Sequence, residues 1–405
     1  MPFLPKHFAA MFRSFPRSFW LLIAGMFVNR LGAFVLPFLA IYLREHEGFG
    51  TAEVARILMG WGLGCVVAGV VGGQLTDRWG RKATMVLSLC GGAAVLLALV
   101  HTHDALLFAA LALVLGSVAE LYRPAVAATI SDLTAPHQRA QAFAYLTWAY
   151  NLGFAISPVI AGWCAKHVGF AWLFYGDAAT MLLAAAVLAL FLPETRPKLL
   201  SSGSQPAFRS LDALRDRRFQ PLLLAAFAIG LVMIQFATSL GPLLRGDGID
   251  LETFGRISAV NGLLIVLVQP WLVPRLEQWG RYRVIPLAAL LFCGGFALHA
   301  TADTAWMHVA VLASWTLGEV AIFPLCNAVV SELAPESARG RYQGLYWMAW
   351  ACSNVVGPPV GLLLLAETGE LGWALFLAAL GFVAAFALLV MARRIRAEAR
   401  TRPLA

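Results

Sequence analysis

Residues 72–82 read GGQLTDRWGRK, from Gly72 to Lys82, with one acid and three bases in eleven positions. Apolar runs of about twenty residues flank this charged knot on both sides, the length needed to cross a bilayer core of roughly 30 Å. A charged knot between two such runs is a short loop between two membrane-crossing helices. A fainter copy, Arg275-Leu-Glu277-Gln278-Trp279-Gly280-Arg281-Tyr-Arg283, returns 200 residues later.

Working outward, the same alternation fills the chain. Its 405 residues are 60% hydrophobic and 13% charged, with mean hydropathy +0.75. That is far too little charge to cover a soluble domain of this size. Apolar stretches are expected to form spans at 18–43, 52–75, 83–100, 105–131, 138–165, 170–192, 219–244, 253–276, 284–301, 305–331, 341–366 and 371–392. The first is read as a retained span, since it is long and no small-residue cleavage site follows it. The expected fold is all-α and integral to the membrane: twelve transmembrane helices in two pseudo-symmetric six-helix bundles. The expected domains are 1–192 and 219–392, with a Pro/Ser-containing charged linker at 193–218 and a tail at 393–405.

The bases orient the chain. With the N-terminus inside, 23 of the 30 Lys and Arg fall on the inner side, 5 on the outer side and 2, Arg30 and Arg123, within spans. This is the positive-inside asymmetry, and it places both termini in the cytoplasm. It accounts for the net charge of +8 without a nucleic acid partner. The six cysteines lie in apolar runs without metal or redox spacing, so no metal and no cofactor is expected. The histidines His101, His103, His167, His299 and His308 sit near outer span ends without metal-like spacing and are assigned no chemistry.

The halves repeat each other. At a constant offset of 200, Asp77 meets Glu277, Trp79 Trp279, Gly80 Gly280, Arg81 Arg281, Pro124 Pro324, Ser131 Ser331, Arg139 Arg339 and Pro158 Pro358. Duplicated helical bundles of this kind enclose a central cavity.

The segment Gly73-Gln-Leu75-Thr-Asp77-Arg78-Trp-Gly80-Arg81-Lys82 resembles the loop 2–3 signature of the major facilitator superfamily, G-x-L-x-D-R-x-G-R-K, and Phe191–Pro197 (FLPETRP) also looks like that family. The resemblance spans essentially the whole chain. It implies a transporter working by alternating access, in which the acid Asp77 contacts the cytoplasmic start of span eleven and the nearby bases Arg78, Arg81 and Lys82, and these contacts hold the cytoplasmic side shut. Gly73 and Gly80 permit the close approach. Asp132, Arg139, Glu277, Glu332 and Arg339 complete the expected cytoplasmic gate. A topology anchor obeying the positive-inside rule would use the same bases. In span five, Gly153-x-x-x-Ser157-Pro158-x-x-Ala161-Gly162 is similar to the antiporter motif of the drug–proton antiporters, with Ser157 and Ala161 replacing two of its glycines; plain small-residue packing fits it as well. Span four departs from the drug-antiporter pattern, because "PAVAAT" and not Gln-Gly follows Arg123.

Charges inside the bilayer each cost about 2.5–3.5 kcal/mol or more at mid-membrane, so they mark wet cavities or partners. Arg30 lies mid-span one beside Asn29, Glu120 and Arg123 lie one turn apart in span four, Asp177 lies in span six and Glu319 in span ten. The family places spans one, four, seven and ten around the cavity. Glu120 or Glu319 is the expected proton carrier, tuned by Arg30 and Arg123. Glu120–Arg123 also fits a structural i,i+3 pair, and Asp177, grouped with the proton-coupling residues, also fits a structural role. Asn29, Arg30, Glu120, Arg123, Gln235, Trp315, Glu319, Tyr346 and Trp350 are the candidate cavity residues, the aromatics suiting flat or amphipathic molecules; helix packing explains such rings too. The reading is a proton-coupled exporter of small molecules in a bacterial inner membrane, a monomer whose partners are its substrate, protons and lipid. A symporter importing a small metabolite or peptide is the alternative. Neither a catalytic triad nor a nucleotide-binding loop is visible, so no enzyme is expected.

Overall fold

The computed structural model describes residues 15–135, 138–195, 210–335 and 339–401. Lys6, Arg13, most of the 193–218 linker and the last four residues lie outside them, as does the side chain of Arg339. The described residues form helices only. Span one is Arg17–Leu31 with Val35–Ile41 and a π-helical turn at Tyr42–His46; span two is Thr51–Trp79 and span three Arg81–Leu99. Span four is Ala105–Ala119 with Tyr122–Leu133, span five Arg139–His167 and span six Ala171–Phe191. A short helix, Ser210–Arg215, precedes span seven, which is Phe219–Met233, Gln235–Thr238 and Leu240–Gly246. Spans eight, nine and ten are Leu251–Gln278, Arg281–Ala297 with a 3-10 turn at Leu298–Thr301, and Ala305–Leu333. The last helix, Arg339–Thr401, turns at Gly369 (φ 68°) into spans eleven and twelve. Twelve helical rods in two pseudo-symmetric sets of six make up the described chain.

Three spans expected to be continuous are broken, and proline accounts for one break in each. A proline has no N–H for the carbonyl four residues earlier. Pro124 leaves the Glu120 carbonyl free, and the Arg123 N–H takes it at 3.3 Å across the break. Pro37 and Pro242 stand in the same relation to the breaks at Gly32–Phe34 and at Ser239. Asp177 of span six reaches the break in span one, accepting from the Val35 N–H at 3.5 Å. Other helix starts carry their own caps: Asp104 accepts from Leu107 N–H at 2.8 Å and Asp250 from Thr253 N–H at 2.8 Å, each worth about 1 kcal/mol.

The repeat is visible in the backbone. Gly80 (φ 105°) and Gly280 (φ 89°) both turn the chain between their second and third helices, a left-handed conformation that glycine adopts without steric cost. Gly80 also has no room for a Cβ, which would meet the Glu194 carboxylate at 2.5 Å. That carboxylate accepts the Arg81 and Lys82 N–H groups at 2.9 and 3.1 Å, so Glu194 caps span three, where helix N–H groups favour an anion.

The halves meet through spans two with eleven and five with eight. The face where spans two and six end, and where the linker joins the halves, is here the linker face; the other is the distal face. Gly62, Gly69 and Gly73 share one side of span two. A Cβ at Gly62 would collide with the backbone of Asn354 in span eleven, yet at Gly69 and Gly73 it would meet nothing within 4 Å. The two helices therefore touch near the distal face and diverge toward the linker face. Spans five and eight close in the same way: Gly162 packs on the Leu251 backbone, Gly255 on Pro158 and Gly262 on Asn151 and Ala155. The space between the halves opens toward the linker face.

Candidate functional site

Arg30 is the centre of the N-half wall. It sits just before the break in span one and its guanidinium lies 5.9 Å from the ring centres of both Tyr150 and Phe154 of span five. Gly153 makes this fit possible, because a Cβ there would lie 2.9 Å from Arg30 Cβ. The first glycine of the antiporter-like motif thus seats Arg30, while Gly162 at its other end seats span eight. Pro158 bears on Gly255, and the Ser157 hydroxyl is buried without a hydrogen-bond partner. The Arg30 Nε is likewise buried without a partner. With its Nε unpartnered and rings against its guanidinium, Arg30 retains a donor for an anionic or polar group.

Glu120 and Arg123 form an ion pair at the break in span four. Arg123 keeps 53% of its side chain exposed against 21% for Glu120, and Tyr150 lies within electrostatic reach of both Arg123 and Arg30. Two cations, one carboxylate and two aromatic rings therefore converge on this wall. In the C half, Glu319 of span ten is 6% exposed. Its carboxylate accepts from Asn261 Nδ2 of span eight at 2.6 Å, and the same amide reaches Thr316 Oγ1 at 3.1 Å. No cation pairs with Glu319 among the described residues.

Other expected cavity residues are placed within the walls. Gln235 is fully buried: its Nε2 donates to the Leu231 and Gly357 carbonyls at 2.9 and 3.0 Å, and its Oε1 accepts from Ser239 Oγ at 2.6 Å. It ties span seven to span eleven, with Gly361 leaving it room. Trp315 is buried among Phe236, Phe292 and Phe296. Tyr346 is 1% exposed, Asn29 8%, and Trp350 9% while stacking on Phe323. In this conformation these five pack the bundles. Asp177 caps span one and lies near Arg30, so its visible work is to hold the broken helix.

At the linker face, Arg81 is buried; its Nε donates to Asp132 at 3.1 Å and its Nη1 lies 3.6 Å from Asp77. The repeat reproduces this pair: Arg281 Nη1 donates to Glu332 at 3.2 Å. Arg139 donates to the Ser131 carbonyl at 3.2 Å. These contacts stay inside one half, and the Asp77 side chain is 66% exposed. The expected contact of Asp77 with the start of span eleven involves positions 336–341, whose side chains are outside the described residues.

The described ion pairs that cross between halves lie at the distal face, and sequence reasoning missed them. Arg245 donates from Nε and Nη2 to the two carboxylate oxygens of Glu45 at 2.7 and 3.1 Å. Lys166 donates to Asp250 at 2.6 Å and Glu252 at 3.2 Å, with His167 3.4 Å from Glu252. The signal was present, since positions 45 and 245 stand at the repeat offset with opposite charges. Lys166 and Thr253 hold the Asp250 carboxyl well below the usual carboxylate range, so this contact keeps its charge near neutral pH. Arg245→Glu is expected to replace attraction by repulsion worth about 1–2 kcal/mol and shift the halves roughly tenfold toward a distal-open form. The double exchange with Glu45→Arg should restore closure. Maleimide labelling of a cysteine at buried Ser258, between Gly255 and Gly262, reads the difference from the distal side.

A family model described as Major Facilitator Superfamily matches residues 22–351, and again residues 240–405. The chain belongs to the major facilitator superfamily. Among the relatives, an MFS-type transporter of Bacillus subtilis, YttB, is 26% identical over 95% of this chain and 98% of its own length. A Na(+), Li(+), K(+)/H(+) antiporter of Planococcus maritimus is 27% identical over 83% and 87%. The multidrug resistance protein MdtH of Klebsiella pneumoniae is 26% identical over 92% and 93%. The crystal structure of a point mutant of the nucleoside transporter NupG superposes with TM-score 0.77 at 17% identity, covering 93% of this chain and all of that one. A member of this superfamily is a multi-pass membrane transporter, and the fold and relatives are those of transporters rather than enzymes.

Proposed function

We propose that this protein is a proton-coupled exporter of small molecules, a monomer in a bacterial inner membrane with its linker face in the cytoplasm. The observation that carries the reading is Glu319, a buried carboxylate within span ten whose partner is a neutral amide. An ionised carboxylate at this depth is costly without a counter-cation, and gaining or losing a proton is the way such a group relieves that cost. Relatives named as an alkali cation/proton antiporter and a multidrug resistance protein support exchange against protons.

On this reading the latched distal face is external and the open linker face admits substrate from the cytoplasm. Glu319 delivers its proton inward as substrate enters against Arg30, Tyr150, Phe154 and the Glu120–Arg123 pair. Rocking of the halves then breaks the distal pairs, closes the Asp77 face and exposes the cavity outside, where substrate leaves and Glu319 is reprotonated. One pH unit of gradient is worth about 1.4 kcal/mol per proton, a tenfold concentration ratio at one proton per substrate. Proteoliposomes with an imposed pH gradient and a panel of amphipathic compounds test this. Uphill substrate movement opposite to the proton flow is expected, at about tenfold per pH unit; movement in the same direction as the protons would establish symport instead.

A further inference from the structure

A second titratable cluster lies in the C half, away from the cavity. Trp315 Nε1 donates to His299 Nε2 at 3.1 Å; His299 Nδ1 stands 2.9 Å from His308 Nδ1; and His308 Nε2 stands 3.0 Å from Asp247 Oδ2. Trp315 and both histidines are fully buried, and the Asp247 side chain is 15% exposed. The indole is a donor only, so it fixes the order of the whole chain. His299 must accept at Nε2 and therefore carries its proton on Nδ1. His308 accepts that proton at Nδ1 and carries its own on Nε2, which it gives to the Asp247 carboxylate. Every donor and acceptor is matched with both imidazoles neutral.

An added proton finds no place that preserves the chain. On His299 Nε2 it faces the indole N–H, on His308 Nδ1 it faces the His299 N–H, and on Asp247 it removes the final acceptor charge. Carboxylates gather at the distal end of the chain. Asp303, in the loop between spans nine and ten, acts on His308, and Glu370, at the turn between spans eleven and twelve, lies near Asp247 and Asp303. Three carboxylates thus surround the distal end of the chain, and the nearest described cation on the same segment, Arg245, is engaged with Glu45.

The duplication supplies an internal control. The positions matching His299, His308 and Trp315 in the N half are Leu99, Phe108 and Leu115, all buried. The fold therefore packs this place with apolar side chains, and two buried histidines are not required for stability. What they grip is the end of span seven. Asp247 lies between Arg245 and Asp250, which make the two ion-pair contacts of the distal latch.

We propose that His299 and His308 form a proton-responsive clasp that positions the Asp247 segment of the distal gate and releases it when the outer solution acidifies. The clasp rests on the proposed function only in treating residues 245–252 as a gate and the distal face as external. Protonation then opens the latch on the side from which protons enter, at acid pH. This is a positioning role; neither histidine touches the cavity.

The test uses the full-length protein in right-side-out vesicles, with the six native cysteines replaced and Ser258→Cys as reporter. Labelling by an impermeant maleimide, normalised to denatured protein at the same pH, is expected to rise several-fold between about pH 7.5 and about pH 4.5. In the double variant His299→Leu/His308→Phe, which copies the N half, labelling should not change with pH. His308→Gln, which keeps a donor for Asp247 without titrating, should stay low at both. An unchanged pH response in either variant, or none in the parent protein, overturns the clasp. Labelling that responds to substrate but not to pH would reject the clasp alone; labelling that responds to neither would reject the transport reading as well.

Discussion

Glu319→Gln is expected to reduce pH-gradient-driven substrate movement to background while exchange of labelled for unlabelled substrate at equal pH continues. Glutamine keeps the shape and an acceptor for Asn261 Nδ2, 2.6 Å away in the parent, so spans eight and ten stay joined. What it removes is the exchangeable proton. Glu120→Gln should act differently. Glu120 is already neutralised by Arg123, whose half-exposed guanidinium would then face the cavity unpaired; the expected effect is a change of apparent substrate affinity with coupling retained. Proteoliposomes assayed with and without a pH gradient separate the two outcomes. Uphill transport surviving in the Glu319→Gln/Glu120→Gln double variant would remove the proton role from both residues and leave the fold as described.

Gly62→Leu is expected to have the other large effect, through geometry instead of charge. The close approach of span two to the Asn354 backbone leaves no room for a side chain, and backbone cannot rotate away as a flexible side chain can. Forcing atoms into such a contact costs about 1–3 kcal/mol or more. The cost falls only on the distal-closed conformation, so the equilibrium shifts roughly tenfold to a hundredfold toward the distal-open one. Transport should fall by a similar factor while distal labelling at Ser258→Cys rises. Gly69→Leu, on the same side of the same helix but in open space, should leave distal closure intact. Equal distal labelling in the two variants would contradict the divergence of spans two and eleven.

Much of this architecture is written in local pattern. Runs long enough to cross a bilayer, a base-rich side and a 200-residue repeat require no tertiary information, which is why the twelve spans and their pairing are legible. The helix breaks are less so. Pro37, Pro124 and Pro242 mark them, yet Pro324 lies inside an unbroken span ten; whether a span breaks depends on replacement partners such as the Arg123 N–H and Asp177, which come from folding. The cavity residues divide for a related reason. Helices apolar on every side show no periodicity that separates a wall from a core, so Gln235, Trp315 and Tyr346 carried no mark of their burial. Charged side chains in apolar surroundings were better guides, because their cost demands a partner or water: Arg30 lies against two rings, Glu120 pairs with Arg123, and Glu319 takes the Asn261 amide. The distal latch joins residues 84 to 200 positions apart in loops and helix ends, where composition is silent about pairing.

The most direct test of alternating access is a pair of distances measured on one preparation. Spin labels at Arg44 and Gly246, both exposed at the distal face, and at Trp79 and Trp279, both exposed at the linker face, report the two gates across the repeat. On a change of pH or addition of substrate, the distal distance should lengthen while the linker-face distance shortens. If both distances moved in the same sense, or neither moved while transport proceeded, two halves rocking about a central cavity would not describe this protein.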